Sequence, residues 1–345
     1  MGIVFFKEIF GQEKAIGFLK RIVANNKVAS AYLFSGARGI GKTTTALALA
    51  LLLNCEKPVD EDGCGTCSSC RKILDGNHPD LIIVEPEQDK KGIGIDQTRE
   101  INRQLAFSPA LGGYRIIIID PAEKMTDEAA SAFLKALEEP PPRTVFILNV
   151  RDPRELFPTI VSRCQKVPFK PLPDKYIVHW LVSREHMDDE KARIVVKLSE
   201  GSLGRALLLA GDDHFNARVD WITMVNRITD EPSDTLLDLA RECSGALKKT
   251  GTSEEIKDTG AALMLGVWKS WYRDLLLVKL GGAPGLILNA DFSDRLKSAA
   301  LLYTVSSLMK SLAVIARAEY DLMGNKNLLY VLERSLLGLK DACRG

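Results

Sequence analysis

The chain has 345 residues, with 46 lysines and arginines against 45 aspartates and glutamates, a formal net charge of +1. Its 46% hydrophobic and 26% charged residues exclude a disordered chain and are typical of a globular protein of roughly two or three domains. The near-neutral charge argues against a protein that grips nucleic acid tightly by itself. No apolar run reaches the about 18 residues of a transmembrane helix, and the N-terminus does not resemble a signal peptide. We therefore expect a cytoplasmic protein with no membrane partner.

Short apolar segments alternate with amphipathic ones in the first half of the chain. Continuous apolar runs of this length are typical of strands buried on both faces. The candidate strands are Ala31–Phe34, Leu81–Val84, Ile116–Ile119 and Val145–Val150. A helix is predicted after Thr126, a residue type that favours the N-cap, and it ends before the three prolines at 140–142. The alternation predicts an α/β fold, a parallel sheet with helices on both faces.

The pattern becomes helical beyond Pro168, where prolines punctuate a linker. Three short helices are predicted over Asp174–Arg184, Asp189–Glu200 and Ser202–Ala210. From about Gly211 onward the sequence is leucine-rich and helical, with no convincing strand. These changes predict three domains, over residues 1–168, 169–211 and 212–345.

Residues 36–43 read Gly-Ala-Arg-Gly-Ile-Gly-Lys-Thr and match the phosphate-binding pattern G-x-x-x-x-G-K-[ST] at each fixed position. The segment follows a predicted strand and opens a predicted helix from about Lys42 through Leu53, the context that this loop needs. Lys42 is expected to reach the β- and γ-phosphates of ATP or ADP, and the Thr43 hydroxyl to hold Mg²⁺. The residues predicted to contact nucleotide here are Gly36, Arg38, Gly39, Ile40, Gly41, Lys42, Thr43 and Thr44.

Asp120 ends a predicted strand and is the expected acidic partner of the magnesium ion. A hydrolysing site normally places a glutamate next, to activate the attacking water, but here the next residue is Pro121. Glu123 comes three positions later and is expected to point elsewhere. The sequence therefore predicts nucleotide binding more firmly than hydrolysis.

Four cysteines, Cys55, Cys64, Cys67 and Cys70, follow the spacing C-x₈-C-x₂-C-x₂-C. Four thiolates at two-residue spacings satisfy tetrahedral Zn²⁺. An iron–sulfur cluster is the rival interpretation, and four unligated thiols are a third, but redox chemistry has no evident role beside a phosphate loop. We therefore predict a structural zinc site over residues 55–70, with His78 a surface loop residue outside it.

An ordered series of features resembles the AAA+ subunits of the bacterial sliding-clamp loader, the DNA polymerase III gamma/tau and delta prime group. The series comprises Gly11-Gln12, the phosphate loop, the four-cysteine insertion, Asp120, the segment 134–141 (Leu-Lys-Ala-Leu-Glu-Glu-Pro-Pro) and Ser162-Arg163-Cys164. The resemblance is strong over residues 5–211 and only general over 212–345. It implies an AAA+ nucleotide-binding domain, a helical lid and an all-α collar that joins subunits into a ring.

The resemblance also implies roles for particular residues and partners. Arg163 is expected to act in trans as an arginine finger on nucleotide held by a neighbouring subunit, and Asn149 matches the sensor-one position. The implied partners are gamma/tau and delta subunits, the sliding clamp and primed DNA. The expected setting is the nucleoid-associated replisome, within a polymerase holoenzyme whose polymerase site lies in another subunit.

Two departures from the motor subunits of this group concern ATP hydrolysis. The motors carry Asp-Glu-x-His where this chain has Asp120-Pro121-Ala122-Glu123. They also carry a lid sensor arginine in Gly-Ser-Leu-Arg, where this chain has Gly204 and then Arg205, one position and about 100° further around a helix. The departures favour a non-motor subunit with weak or absent ATPase. A gamma/tau-type motor is the alternative, and an unrelated AAA+ helicase or remodeller explains the cysteine insertion less well.

Overall fold

The computed structural model describes residues 5–87, 90, 92–228, 230–249, 254–324 and 326–344. The chain separates into two compact units. The first unit runs to Ile177 and includes Gly201–Gly204, and the second comprises Val178–Glu200 and the residues from Arg205 onward. The three-domain division expected from the sequence stays a prediction.

Five parallel strands form the sheet of the first unit, in the order β2-β3-β4-β1-β5. They are β1 (Ala31–Ser35), β2 (Leu81–Val84), β3 (Arg115–Ile119), β4 (Thr144–Val150) and β5 (Gln165–Pro168). The four predicted strands are present, with ends that differ by at most one residue. β5 escaped prediction because it is a short edge strand whose only buried residue is Val167, so it carries no apolar run.

Helices cover both faces of this sheet, as the sequence predicts. The helices of the first unit are α1 (Glu13–Ala24), α2 (Lys42–Asn54), α3 (Ser68–Leu74), α4 (Ile95–Leu105), α5 (Asp127–Glu138) and α6 (Pro158–Val161), and α7 (Asp174–Arg184) begins there. Ile116 and Ile118 of β3 pack with α1 and α2, whereas Ile117 and Ile119 pack with α4 and α5. Successive side chains of a strand point to opposite faces, which explains why β3 is apolar throughout.

The second unit is helical in all of its described secondary structure. Its helices are α8 (Asp189–Ser199), α9 (Leu203–Ala210, which begins in the first unit), α10 (Asp212–Arg227), α11 (Ser233–Lys249), α12 (Glu254–Lys279), α13 (Ser293–Ala300), α14 (Val305–Met323) and α15 (Leu328–Arg344). Three aromatic residues of α12, Trp268, Trp271 and Tyr272, are buried in the second unit. The Trp268 indole N–H donates to the Trp221 carbonyl. Together the two units confirm the predicted fold class, an α/β sheet domain followed by a mostly helical part. No helix within the described residues combines the length and apolarity needed to cross a bilayer.

Candidate functional site

The phosphate loop connects β1 to α2 through three glycines with positive φ. Gly36, Gly39 and Gly41 have φ of 145°, 74° and 101°, values that L side chains rarely adopt. A Cβ at Gly36 would also lie 2.7 Å from Ile40 Cδ1 and 2.8 Å from the Phe169 carbonyl oxygen. The glycines therefore set a tight turn that ends at Lys42, the first residue of α2.

Three polar side chains from separate elements meet beside this loop. The Thr43 hydroxyl donates to Asp120 Oδ2, and Asn149 Nδ2 donates to Asp120 Oδ2 at 2.9 Å and to Thr43 Oγ1 at 3.2 Å. Asn149 is buried on β4, and its Oδ1 has no hydrogen-bond partner in the described part of the chain. Parallel strands β3 and β4 end at the same sheet edge, which brings Asp120 and Asn149 together. The sequence-predicted residues Thr43, Asp120 and Asn149 thus form one cluster.

Lys42 lies over the loop that precedes it. Its Nζ donates to the carbonyl oxygens of Gly36 at 2.6 Å and Ala37 at 2.8 Å. Burial lowers the pKa of Lys42, and the negative charges of Asp120 and Glu123 oppose that shift. The ammonium group is therefore held at the phosphate loop by backbone carbonyls and nearby carboxylates.

The sequence analysis expected Glu123 to point away from the site, yet its charge and that of Lys42 are close enough to interact. It lies in a short turn, Ala122–Lys124, that follows Pro121, and its charge and that of Lys42 each shift the other's pKa. Burial raises the pKa of Glu123, and its Oε2 is buried with no hydrogen-bond partner among the described residues. The carboxyl group is therefore near enough to Lys42 to influence its pKa, a proximity that spacing along the chain does not reveal.

The segment Gly201–Gly204 contacts the phosphate loop within the first unit. Ser202 Oγ donates to the Arg38 carbonyl at 2.8 Å, and the Gly204 amide donates to the Gly39 carbonyl at 2.9 Å. A Cβ at Gly204 would lie only 2.9 Å from Gly39 Cα. Gly204 stands where the resemblance leads us to expect a lid arginine in the motor subunits, and its backbone lies against that of Gly39. Arg205, the next residue, pairs with Glu200 at 3.3 Å.

Gln12 shapes the loop from the other side, a role that the sequence analysis missed. Its side chain is 4% exposed and donates to the carbonyl oxygens of Ile40 at 3.2 Å and Lys170 at 2.7 Å. The Lys170 amide donates back to Gln12 Oε1 at 3.2 Å. Gln12 therefore connects the loop to the chain that leaves β5. The only sequence signal for this role is that Gln12 belongs to the Gly11-Gln12 pair.

The four cysteines of the insertion converge in space. The Sγ atoms of Cys55, Cys64, Cys67 and Cys70 all lie within 4.8 Å of one another. Tetrahedral zinc–thiolate bonds of about 2.3 Å place sulfurs about 3.8 Å apart, and Cys64 Sγ lies 4.0 Å from Cys70 Sγ. The donor set and its dimensions therefore fit one tetrahedral metal ion.

Hydrogen bonds to sulfur support this arrangement. The Cys67 amide donates to Cys64 Sγ at 3.3 Å, and the Cys70 amide donates to Cys67 Sγ at 3.4 Å. Hydrogen bonds from Thr66 and the Cys67 amide lower the pKa of Cys64 to about 6. These donors favour the thiolate of Cys64, whereas burial raises the pKa of Cys55 and Cys70.

His78 is buried, not a surface loop residue as predicted. Its ring is 4% exposed, its Nδ1 accepts from the Asp80 amide at 3.2 Å and its Nε2 lies 2.9 Å from Ser69 Oγ. The prediction was wrong because the loop after α3 turns inward to begin β2, and Asp80 is buried too, paired with Arg115 at 3.4 Å. His78 holds α3 in place and is not among the clustered metal donors.

Arg163 lies just beyond α6. Its Nη1 donates to the Thr159 carbonyl at 2.9 Å, and its Nη2 donates to Glu138 Oε1 at 2.6 Å. The Arg163 side chain is 35% exposed, and its neighbour Cys164 is buried in the sheet core. The guanidinium is thus fixed at the protein surface by a buried neighbour and two polar contacts.

Comparison with known proteins places these features in a family. A family model described as DNA polymerase III, delta subunit, matches residues 11–173. The delta prime subunit of Escherichia coli K12 is 37% identical over 188 residues, 54% of this chain and 56% of that protein. The delta prime subunit of Bacillus subtilis 168 is 28% identical over 330 residues, 96% of both chains. The tau subunit of E. coli K12 is 32% identical over 251 residues, 70% of this chain and 38% of that protein.

The chain belongs to the clamp-loader family of DNA polymerase III. It spans little more than half the length of the E. coli delta prime subunit in that alignment, and less than half of tau. The clamp-loader family match over residues 11–173 contains the phosphate loop, the cysteine cluster, Asp120 and Arg163. The second unit lies wholly outside that match.

Proposed function

We propose that this clamp-loader family member is the delta prime subunit, a scaffold that binds nucleotide weakly or without turnover. In this role it joins gamma/tau and delta subunits in a ring and helps to load the sliding clamp onto primed DNA in the bacterial cytoplasm. We assign residues 1–168 to the AAA+ domain, 169–211 to the lid and 212–345 to a collar that holds the ring together.

Pro121 is the observation that carries the proposal. It follows Asp120, where a hydrolysing site needs a carboxylate to activate water, and proline offers no side-chain proton acceptor. Gly204 supports the same conclusion, because its approach to Gly39 leaves no room for a sensor arginine at that position. The alignment with a delta prime subunit over 96% of both chains also favours this member of the family over tau.

The residues around the loop fit a magnesium nucleotide. Mg²⁺ prefers oxygen ligands, and the Thr43 hydroxyl and the Asp120 carboxylate meet beside the Asn149 amide, whose Oδ1 is unpartnered within the described residues. Lys42 and the turned backbone of Gly36–Gly41 supply the positive groups that phosphates need. In our proposal Thr43 and Asp120 hold the ion, and Asn149 orders a water beside the phosphate.

Zn²⁺ is the proposed occupant of the cysteine cluster. Four sulfur donors at tetrahedral spacing fit this ion. Its role is structural, since no coordination position is left for substrate.

Arg163 is the proposed catalytic group of the subunit, acting on a neighbour's nucleotide. An arginine finger stabilises charge on the transferring phosphoryl group and is worth roughly 10³–10⁵ in rate.

A gamma/tau-type motor is the second candidate. It is favoured by the complete phosphate loop and by the carboxyl group of Glu123, which lies near enough to Lys42 to influence its pKa. The two proposals differ in what the isolated chain does with ATP.

Nucleotide binding and turnover by the purified chain test the choice. We expect the chain to bind ATP or ADP with Mg²⁺, the Lys42→Ala variant to lose that binding, and steady-state hydrolysis to stay at background. Hydrolysis by the isolated chain that Lys42→Ala abolishes would reject the delta prime proposal and support the motor.

A further inference from the structure

Glu138 is the last residue of α5 and the ion-pair partner of Arg163. Its Oε1 accepts from Arg163 Nη2 at 2.6 Å, while the Thr159 carbonyl accepts from Nη1 at 2.9 Å. The guanidinium has five N–H bonds, and these contacts use one on each Nη nitrogen. The other three make no hydrogen bond in the described part of the chain. The two contacts thus fix the orientation of the guanidinium plane and leave N–H groups available for a phosphate.

Both partners are anchored to the same buried core. Leu137 precedes Glu138 and is buried, and Cys164 follows Arg163 and is buried in the same cluster, which also contains Ile160 of α6. The two side chains themselves stay partly exposed, 50% for Glu138 and 35% for Arg163. The backbone of each partner is thus held by a buried neighbour, while the charged groups stay at the surface. A cation held in this way can act on a second molecule.

The next residue, Glu139, offers a contrast. It is exposed, and no ion pair or hydrogen bond to its carboxylate is found among the described residues. Two adjacent glutamates of the segment 134–141 therefore have different surroundings, although the sequence presents them as equivalent.

We propose that Glu138 is the positioning residue of the arginine finger. Its carboxylate holds the Arg163 guanidinium in the orientation in which the remaining N–H groups meet a neighbour's γ-phosphate. This inference rests on the proposed role of Arg163. A freely rotating arginine spends little time in the productive geometry, and small misplacements of a catalytic group cost on the order of 100-fold in rate. Among the described residues the carboxylate accepts a hydrogen bond from Arg163 alone, and in our proposal it does not act on the phosphate.

Reconstituted clamp loader tests the proposal through the part of its ATPase that depends on Arg163. That part is the DNA-stimulated rate of the wild-type complex minus the rate of the Arg163→Ala complex. We expect Glu138→Gln and Glu138→Ala to remove most of it with little change in KM for ATP, and the matched variant Glu139→Gln to retain it. In the Arg163→Ala background, Glu138→Gln should change nothing further, because the pair acts as a unit.

A second measurement on the isolated full-length chain is independent of catalysis. The NMR signal of the Arg163 Nε–Hε group, assigned by its loss in Arg163→Ala, should report an ordered side chain in the wild type and in Glu139→Gln. In Glu138→Gln the order parameter should fall while the melting temperature and zinc content stay unchanged.

The outcomes separate the two ideas. Two results would overturn the positioning role and leave the arginine finger standing. In the first, Arg163→Ala lowers the rate but Glu138→Gln retains it. In the second, Glu138→Gln lowers the rate further in a complex that already carries Arg163→Ala. If Arg163→Ala matches the wild type, the finger itself fails, and the positioning role fails with it, whatever the NMR signal shows.

Discussion

At the scale of single residues, the Glu123 carboxyl group lies in surroundings that disfavour its charge. Burial and the charge of Glu155 raise its pKa above the ordinary value of 4.5, while Lys42 and Arg151 oppose the shift. A carboxyl group whose pKa is raised by folding contributes stability that is fully present below its unfolded pKa and is lost as the pH rises through its folded pKa.

We expect Glu123→Gln to stabilise the protein near neutral pH by on the order of 1 kcal/mol, because the amide removes a buried charge with an unpartnered oxygen. The gain should vanish well below pH 4.5, where the wild-type carboxyl is neutral in both states. Denaturant unfolding across this pH range measures it, with Glu185→Gln, an exposed site, as control. A difference between variant and wild type that does not depend on pH would contradict the assigned cause.

Gly204 is a second residue whose type the structure explains. A Cβ there would meet the Gly39 backbone at 2.9 Å, so we expect Gly204→Ala to destabilise the first unit by about 1–3 kcal/mol. Gly17→Ala on α1, where a Cβ meets nothing within 4 Å, should instead stabilise by about 0.5–1 kcal/mol. Equal effects of the two substitutions on thermal unfolding would show that the close approach of the loop and the Gly201–Gly204 segment does not constrain the protein.

At the scale of elements, the four-cysteine segment has little apolar core of its own. Cys70 and Ile73 of α3 pack on Leu51 of α2 in a small cluster, and much of the rest of residues 55–70 is exposed. Cys67 caps α3 by accepting from the Cys70 amide. So small a structure needs a cross-link, and metal binding is coupled to its folding.

Elemental analysis should find about one zinc per chain and no iron, since four sulfurs within 4.8 Å of one another suit a single tetrahedral Zn²⁺. Cys70→Ser, at a fully buried position, should lose the metal and destabilise the first unit by about 3 kcal/mol or more. Cys243→Ser lies in the second unit and should keep the zinc. Iron in the purified protein, or a Cys70→Ser variant with full zinc content and unchanged stability, would contradict the zinc assignment.

Some elements of the fold could be predicted from the sequence and others could not. β1 to β4 were predictable because each is apolar on both faces, and α5 because Thr126 caps it and prolines end it. β5 was not, because an edge strand with one buried residue lacks that pattern. The phosphate loop and the four-cysteine site could be predicted because each is a local motif in the sequence. Gln12 and the Glu138–Arg163 pair join residues far apart in sequence, so only the folded chain brings them together.

At the scale of the whole molecule, the two units relate to the family differently. The first carries the matched region 11–173 and the proposed chemical groups, whereas the second is built around the buried α12. Its helices were predictable from their leucine-rich pattern, but apolar periodicity identifies a helix without identifying its partner. In our proposal this subunit contributes one residue, Arg163, to a neighbour's site and need not use its own loop for hydrolysis.

The DNA-stimulated ATPase of clamp loader rebuilt with Lys42→Ala or Arg163→Ala tests this division of labour most directly. Assembly and zinc content of each complex serve as controls for folding. If the chain is a delta prime subunit, Lys42→Ala leaves the rate near that of the wild type, and Arg163→Ala lowers it partially because the finger serves one of several sites. A rate that falls with Lys42→Ala and is unchanged by Arg163→Ala would contradict the account and identify a motor.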